Sequence, residues 1–303
     1  MSDLANLVAM DADVAIPVAM NVDPAGPAGM NGDVANPVAM HADLAGRLSR
    51  HAHLAIAVSG GVDSMTLATF AHRLWQSGAQ GGAMGEVEMI HAVSPAVPPA
   101  ATERVRARAT REGWRLTVTG TGEFDDQRYR DNPVNRCYFC KTNLYDRIRA
   151  LTTGAIASGA NLDDLGDYRP GLLAASERAV VHPYIEAGMD KAAVRALARR
   201  LGLDEVAELP AQPCLASRVE TGIAIDPDDL AFIDLMETRL AALAPVGMAL
   251  RCRVTHAGIT IEAGNAAADA APLADLAGAL CRAHGRRLVG VGPYRRGAMF
   301  VHG

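Results

Sequence analysis

Three groups of residues have the types and spacing to do chemistry. The first is Ser59-Gly60-Gly61-Val62-Asp63-Ser64, in which paired glycines stand between two hydroxyls and beside a carboxylate. Glycines let the backbone turn tightly and approach an anion with no Cβ in the way. Amides of such a loop and of a following first helical turn lack partners and can bind phosphate. Ser59 and Ser64 add hydroxyl donors, and the Asp63 carboxylate in a phosphate site implies a magnesium ion to offset its charge. There is no Gly-Lys-Ser/Thr at the spacing of the other common phosphate loop. The competing reading is a glycine turn that only packs strand on helix.

The second group is sulfur. Cys137-Tyr138-Phe139-Cys140 is a C-x-x-C pair, and Cys214 lies in Leu209-Pro210-Ala211-Gln212-Pro213-Cys214-Leu215-Ala216-Ser217-Arg218. Such a pair serves zinc, a redox disulfide or a cluster. A closed zinc site takes four protein ligands; three are convincing here, with His182 a candidate fourth. An iron–sulfur cubane on three thiolates leaves one iron open, which suits sulfur delivery. Cys252 and Cys281 sit in alternating apolar contexts and read as buried structural thiols.

The third group is the loop Gly159 to Gly171, with Asn161, Asp163, Asp164, Asp167, Tyr168 and Arg169. Asp163 or Asp164 would help hold magnesium, and Arg169 would pair with phosphate or carboxylate. A solvated surface loop would have the same composition. Further on, Arg251 and Arg253 alternate with Leu250, Cys252 and Val254, so both arginines share one strand face and could clamp a phosphate. Charges on an exposed edge strand would look alike.

The elements that must position these groups alternate. Strands are expected at Leu54–Val58, Val87–Val93, Trp114–Val118 and Ala155–Ser158. Helices are expected at Thr66–Trp75, Thr102–Glu112, Leu144–Leu151 and Asp190–Leu201. This order predicts an α/β fold, a parallel sheet with helices on both faces and ligands at the carboxyl ends of its strands. A helix from Asp226 to about Leu243, capped by Asp226 with Pro227 at its first position, opens a small C-terminal α+β region. It continues through Met248–Thr255, Ile259–Glu262, Ala274–His284 and Arg287–Val291.

The expected organisation is a low-complexity extension over 1–40, a nucleotide-binding domain over 41–225 and a substrate or oligomerisation region over 226–303. In the extension Met10, Met20, Met30 and Met40 mark a degenerate ten-residue repeat rich in Ala, Pro, Gly, Asn and Asp. That composition reads as disordered; a start of translation at Met40 is a further hypothesis. Net charge is −5, no signature of broad nucleic-acid binding. No apolar run is long enough to span a bilayer, and no basic start with an apolar core marks a secretory signal. Five cysteines, an odd number, disfavour a disulfide framework. A cytoplasmic protein with reduced thiols is expected.

The Ser59–Ser64 string resembles the PP-loop of ATP pyrophosphatases. Together with Ser94-Pro95, Asn132–Lys141, Asn161–Gly171, Glu186-Ala187-Gly188 and Cys214–Arg218, it makes the chain from about residue 42 onward similar to the LarE family. These are ATP-dependent sulfurtransferases in the biosynthesis of the nickel-pincer cofactor of lactate racemase. The resemblance implies ATP and Mg2+ at Ser59, Gly60, Gly61, Asp63 and Ser64. It implies the substrate pyridinium-3,5-biscarboxylic acid mononucleotide, with its phosphate near Ser217, Arg218, Glu237, Arg251 and Arg253. Some members sacrifice a cysteine at the position of Cys214, and others hold a 4Fe-4S cluster on three cysteines. Having Cys137, Cys140 and Cys214, this chain resembles the cluster type. The resemblance also suggests a homo-oligomer, hexameric in size, and leaves the sulfur donor open; neither nucleic acid nor membrane is expected as a partner. His256 to Glu262 and Pro293 to Met299 depart from the family pattern. The rival readings are a tRNA thiolase of the 2-thiocytidine type and an ATP-dependent amide ligase of the NAD synthetase type.

Overall fold

A computed structural model describes residues 37–78, 85–166, 169–210, 213–245, 247–264 and 270–295. The decamer repeat up to residue 36, Asp167, Tyr168, Ala211, Gln212 and the stretch 296–303 lie outside the described residues. The chain runs α1 (Pro37–Leu48), β1 (His53–Ala57), α2 (Val62–Gly78), β2 (Glu86–Val93), α3 (Pro99–Glu112) and β3 (Leu116–Gly120). There follow α4 (Gln127–Arg130), α5 (Arg136–Arg149), β4 (Ala155–Ala157), α6 (Pro170–Ser176), α7 (Pro183–Glu186), α8 (Lys191–Arg200) and α9 (Asp204–Ala207). The last part holds α10 (Pro227–Ala241), β5 (Leu250–Thr255), β6 (Gly258–Ala263), α11 (Ala270–Ala283) and β7 (Leu288–Pro293). Two short 3-10 turns, Leu162–Leu165 and Leu215–Arg218, carry residues of interest.

The first sheet has the order β3-β2-β1-β4, and all its pairings are parallel, which is the expected α/β fold. β1 is apolar at successive positions because both its faces are covered. Leu54 and Ile56 pack on one side with Met65, Phe70 and Leu197, and Ala55 packs on the other with Leu144, Ile148 and Ile156. The smaller sheet has the order β5-β6-β7, antiparallel between β5 and β6 and parallel between β6 and β7.

A second core joins this smaller sheet to the rest. Leu250, Ile261, Leu273 and Cys281 pack with Leu215, Ala216, Val219 and Ile225, and also with Ala96 and Tyr129. The boundary expected near residue 225 therefore falls within one packed cluster. The contact is also hydrogen-bonded: the Leu215 amide donates to the Ala96 carbonyl at 2.9 Å, and Val219 bridges Val254 in parallel. Ala96 follows β2, so the Cys214 segment is tied to the carboxyl edge of the parallel sheet.

Two helices that carry residues of interest begin earlier than the apolar pattern suggests, and α1 lies where no helix is expected. α2 starts at Val62, directly in the glycine loop, and α5 starts at Arg136 rather than Leu144. The C-x-x-C pair thus lies in the opening turns of α5. α1 starts at Pro37, inside the stretch read as an extension; proline is tolerated in a first helical turn, where its missing N–H is not needed. Leu44 and Leu48 of α1 are fully buried.

Candidate functional site

The Ser59–Ser64 loop leaves the end of β1 and runs into α2. Gly60 has φ +84°, and a Cβ there would lie 2.7 Å from the Ala101 carbonyl oxygen, so the loop is drawn tight against α3. Arg104 Nη1 donates to the Gly60 carbonyl at 2.7 Å. Ser64 closes the turn: its Oγ accepts from the Ser59 amide at 3.0 Å, donates to the Gly61 carbonyl at 3.2 Å and lies 3.1 Å from Ser59 Oγ. The amides of Gly60, Gly61, Val62, Asp63 and Ser64 donate to no acceptor among the described residues. A row of open amides at a helix start is what an anion site requires.

His91 on β2 supports this loop from below. It is fully buried, its Nδ1 donates to the Val58 carbonyl at 2.7 Å, and its Nε2 accepts from Thr102 Oγ1 at 2.9 Å. Burial lowers its pKa below the ordinary value, which keeps the ring neutral.

Asp63 has both carboxylate oxygens committed. Lys191 Nζ reaches one at 2.5 Å, and Asn161 Nδ2 donates to the other at 3.2 Å. A lysine at the start of α8 thus supplies a counter-charge to Asp63. Asn161 also caps the Leu162–Leu165 turn, accepting from the Asp163 amide while Asp164 accepts from the Asn161 amide. Gly159 permits this arrangement: a Cβ on it would sit 2.9 Å from both the Asp63 carbonyl carbon and the Ser64 nitrogen. Asp164 is ion-paired with Arg169 at 3.1 Å, and Asp163 is exposed.

The three thiols share one neighbourhood. Cys137 and Cys140 are part-buried and Cys214 is exposed. Burial first, then the charge of Cys214, pushes the Cys137 thiol up, against Arg136, Lys141 and Arg169. Cys140 is pushed up to about 12 by burial, with Lys141 opposing and Cys214 adding to the rise. Among the described residues no group of three or more His, Cys, Asp or Glu is gathered to hold a metal ion. The donor chemistry nevertheless suits a thiophilic group: three thiols with cationic Lys141 beside them, its pKa raised first by Tyr145 and then, against burial, by the three thiols. α6 joins these thiols to the Asn161 loop, since a Cβ on Gly171 would meet the Lys141 side chain at 3.1 Å and the Cys137 carbonyl at 3.7 Å.

Residues expected around a substrate phosphate are largely engaged within the protein. Arg218 is 3% exposed and forms a two-point pair with Glu237 at 3.0 and 2.9 Å, while also donating to the Cys214 carbonyl at 2.9 Å and to the Pro213 carbonyl. Glu237 accepts the Cys252 amide as well. Arg253 pairs with Glu262 at 2.8 Å and donates to the Ser217 carbonyl at 3.2 Å. Ser217 Oγ donates to the Cys214 carbonyl at 2.7 Å. These groups hold the Cys214 segment in shape. Arg251 is less buried than Arg253, and its guanidinium lies 5.7 Å from the Tyr294 ring.

His182, the candidate fourth zinc ligand, instead has Nδ1 2.8 Å from Ser158 Oγ at the end of β4. Asn132, at φ 52° and fully buried, donates through Nδ2 to the carbonyls of Glu220 and Ile223 at 2.8 and 2.9 Å and accepts from Arg136 at 2.9 Å. It locks the start of α5 to the segment after Cys214. Lys191, His91, Glu262 and Tyr129 escaped sequence reasoning, because their roles rest on long-range contacts. The one available signal was Lys191 directly after the capping Asp190.

No family model matches the chain. It is 38% identical over 192 residues to an uncharacterised protein of Synechocystis sp., covering 62% of this chain and 68% of that relative. It is 27% identical over 192 residues to the pyridinium-3,5-bisthiocarboxylic acid mononucleotide synthase of Lactiplantibacillus plantarum, covering 62% of this chain and 67% of the relative. The chain belongs to the LarE-like family. An uncharacterised protein of Methanocaldococcus jannaschii is also similar to this LarE-like chain, 27% identical over 135 residues, covering 43% of this chain and 52% of the relative. Among the described residues no helix is long and apolar enough to cross a membrane.

Proposed function

We propose that this LarE-like protein is an ATP-dependent sulfurtransferase acting on pyridinium-3,5-biscarboxylic acid mononucleotide, in biosynthesis of the nickel-pincer cofactor. The observation that carries the reading is the joint anchoring of two chemistries at the carboxyl edge of one sheet. The open amides of Gly60 to Ser64 follow β1, and the Cys214 segment is bonded to Ala96 after β2. The similarity to the pyridinium-3,5-bisthiocarboxylic acid mononucleotide synthase of Lactiplantibacillus plantarum supports the same substrate class.

In this reading the loop amides and Lys191 hold the phosphates of ATP. A substrate carboxylate oxygen attacks the α-phosphorus, the bond to the bridging oxygen breaks, and pyrophosphate leaves. The acyl-adenylate then takes a sulfur anion at its carbonyl carbon, and AMP leaves with the electron pair of the broken C–O bond. Arg218 and Arg253 keep the Cys214 segment fixed against the substrate. Cys137, Cys140 and Cys214 would hold a 4Fe-4S cluster, which when bound supplies sulfide as the attacking sulfur. Mg2+ would act as counter-ion to the phosphates, with Asp163 the exposed carboxylate beside the loop. Assembly as a homo-oligomer is part of this proposal.

A second reading is favoured by the exposure of Cys214. Here the Cys214 thiolate is the attacking sulfur. Elimination then breaks its Cβ–S bond, the Cα proton going to a base, and leaves a thiocarboxylate and a dehydroalanine.

The test is anaerobic purification with iron and sulfide assay, then turnover with ATP, Mg2+ and the mononucleotide, followed by intact-mass analysis. Cluster-bound sulfur predicts iron, acid-labile sulfide and an unchanged protein mass. Absence of cluster absorbance with conversion of Cys214 to dehydroalanine selects the second reading. Without substrate-dependent pyrophosphate release, both fail. Cys214→Ser is expected to keep pyrophosphate release and lose thiocarboxylate formation; a fully active variant would favour the amide ligase instead.

A further inference from the structure

Tyr129 of α4 is 1% exposed, and its hydroxyl has no hydrogen-bond partner among the described residues. A buried hydroxyl without a partner is costly, and in a native protein it needs an explanation. The ring is well held, edge-on to Phe124 with centroids 5.5 Å apart, in the same core as Leu215 and Ala216. The ionisable groups it faces are Cys214, Cys140, Glu123 and Arg136. Arg136 is a donor only, and Glu123, which accepts from Thr121 Oγ1 through Oε2, makes no hydrogen bond with the Tyr129 hydroxyl. The other acceptors it faces are the sulfurs of Cys140 and Cys214, and neither makes a hydrogen bond through sulfur among the described residues.

We propose that Tyr129 is a positioning residue whose hydroxyl donates a hydrogen bond to an anionic sulfur carried between Cys140 and Cys214. The inference rests on the sulfur-transfer reading above. The sulfur has two possible sources with the same acceptor chemistry: sulfane sulfur on a cysteine, or sulfide of a cluster. With sulfur present the hydroxyl gains a partner, and the sulfur gains a donor that slows its escape.

The experiment compares the full chain with Tyr129→Phe, which keeps the ring and deletes only the hydroxyl. In one arm the protein is loaded with sodium polysulfide, and cyanide-releasable sulfur is followed over time. In the other it is reconstituted anaerobically with ferrous iron and sulfide, and loss of visible absorbance to a chelator is followed. The unloaded variant is expected to melt at or above the wild-type temperature and to lose sulfur several-fold faster in the arm that loads; that arm identifies the source. Equal retention in every arm that loads overturns the inference and leaves the sulfur-transfer reading standing. A markedly lower melting temperature overturns it too, since the hydroxyl would then be bonded within the free protein. If the wild type loads in neither arm, the reading of a sulfur-carrying pocket falls along with the inference.

Discussion

Lys191 reaches Asp63 at 2.5 Å across 128 residues of chain, while Asn161 holds the other carboxylate oxygen at 3.2 Å. The pair stands at the mouth of the open amides. Without the lysine, the carboxylate would repel any phosphate placed there. Lys191→Met is expected to weaken pyrophosphate binding about tenfold, or about 1.4 kcal/mol, by titration calorimetry. The double variant Asp63→Asn, Lys191→Met should recover most of that loss, because the repelling charge is gone as well. Equal pyrophosphate affinity in Lys191→Met and wild type would show the pair to be only structural.

Gly159 is the point where the Asn161 loop touches the start of α2. An added methyl would overlap the Asp63–Ser64 peptide, which cannot yield as a flexible side chain can. Gly159→Ala should cost about 1–3 kcal/mol of stability, as overpacking does. It should also displace the amides, lowering nucleotide affinity beyond what the melting temperature alone accounts for. A variant with wild-type nucleotide affinity would contradict this geometry.

Asn132 serves through its hydrogen bonds and through a positive φ of 52°. Asn132→Ala removes one hydrogen bond from each of the Glu220 and Ile223 carbonyls and one from the Arg136 guanidinium, an expected loss of about 3–5 kcal/mol in denaturant unfolding. Asn132→Gly relieves the φ strain but not the lost bonds, so it should recover no more than about 1 kcal/mol. A full rescue by glycine would mean that the backbone conformation matters and the amide does not.

The buried His91 gives the loop support an acid dependence. Burial holds its folded pKa below the ordinary 6.5 of the unfolded chain, so the unfolded state takes up the proton first. Its contribution to stability is complete above 6.5 and is lost as pH falls through the folded value. Melting temperature should drop between about pH 7 and about pH 5. His91→Gln should make the slope shallower without abolishing it, since burial lowers the pKa of His72 and His182 too. A slope unchanged by the substitution would assign the effect to those histidines.

The apolar run before Ser59 and the glycines after it made β1 and the loop legible in the sequence, because both faces of β1 are buried and the turn needs residues without Cβ. The helix after Asp226 was equally plain, with Asp226 accepting the Asp228 amide as a cap should. α5 was cut short because its opening turns carry few apolar residues in helical period: Phe139 and Cys140 pack against the second core, a surface built mostly from residues Leu215 onward. α1 was hidden by the proline content of its surroundings. Strand alternation put Arg251 and Arg253 on one face, but it could not supply Glu262, which lies opposite Arg251 in register and pairs with Arg253. The lysine partner of Asp63 carried no local signal beyond its place after a helix cap.

The two cores are completed at different moments of synthesis. The one under the phosphate loop is assembled from Leu44 to Ala207, with Leu209 against it, whereas the one against Cys140 needs Leu273, Cys281 and Val291. Chains fold as they emerge, N-terminal part first. The core beneath the glycine loop can therefore close before the core beside Cys140 has all its residues. Cys140 emerges well over a hundred residues before Leu273, Cys281 and Val291 complete the core against which it packs.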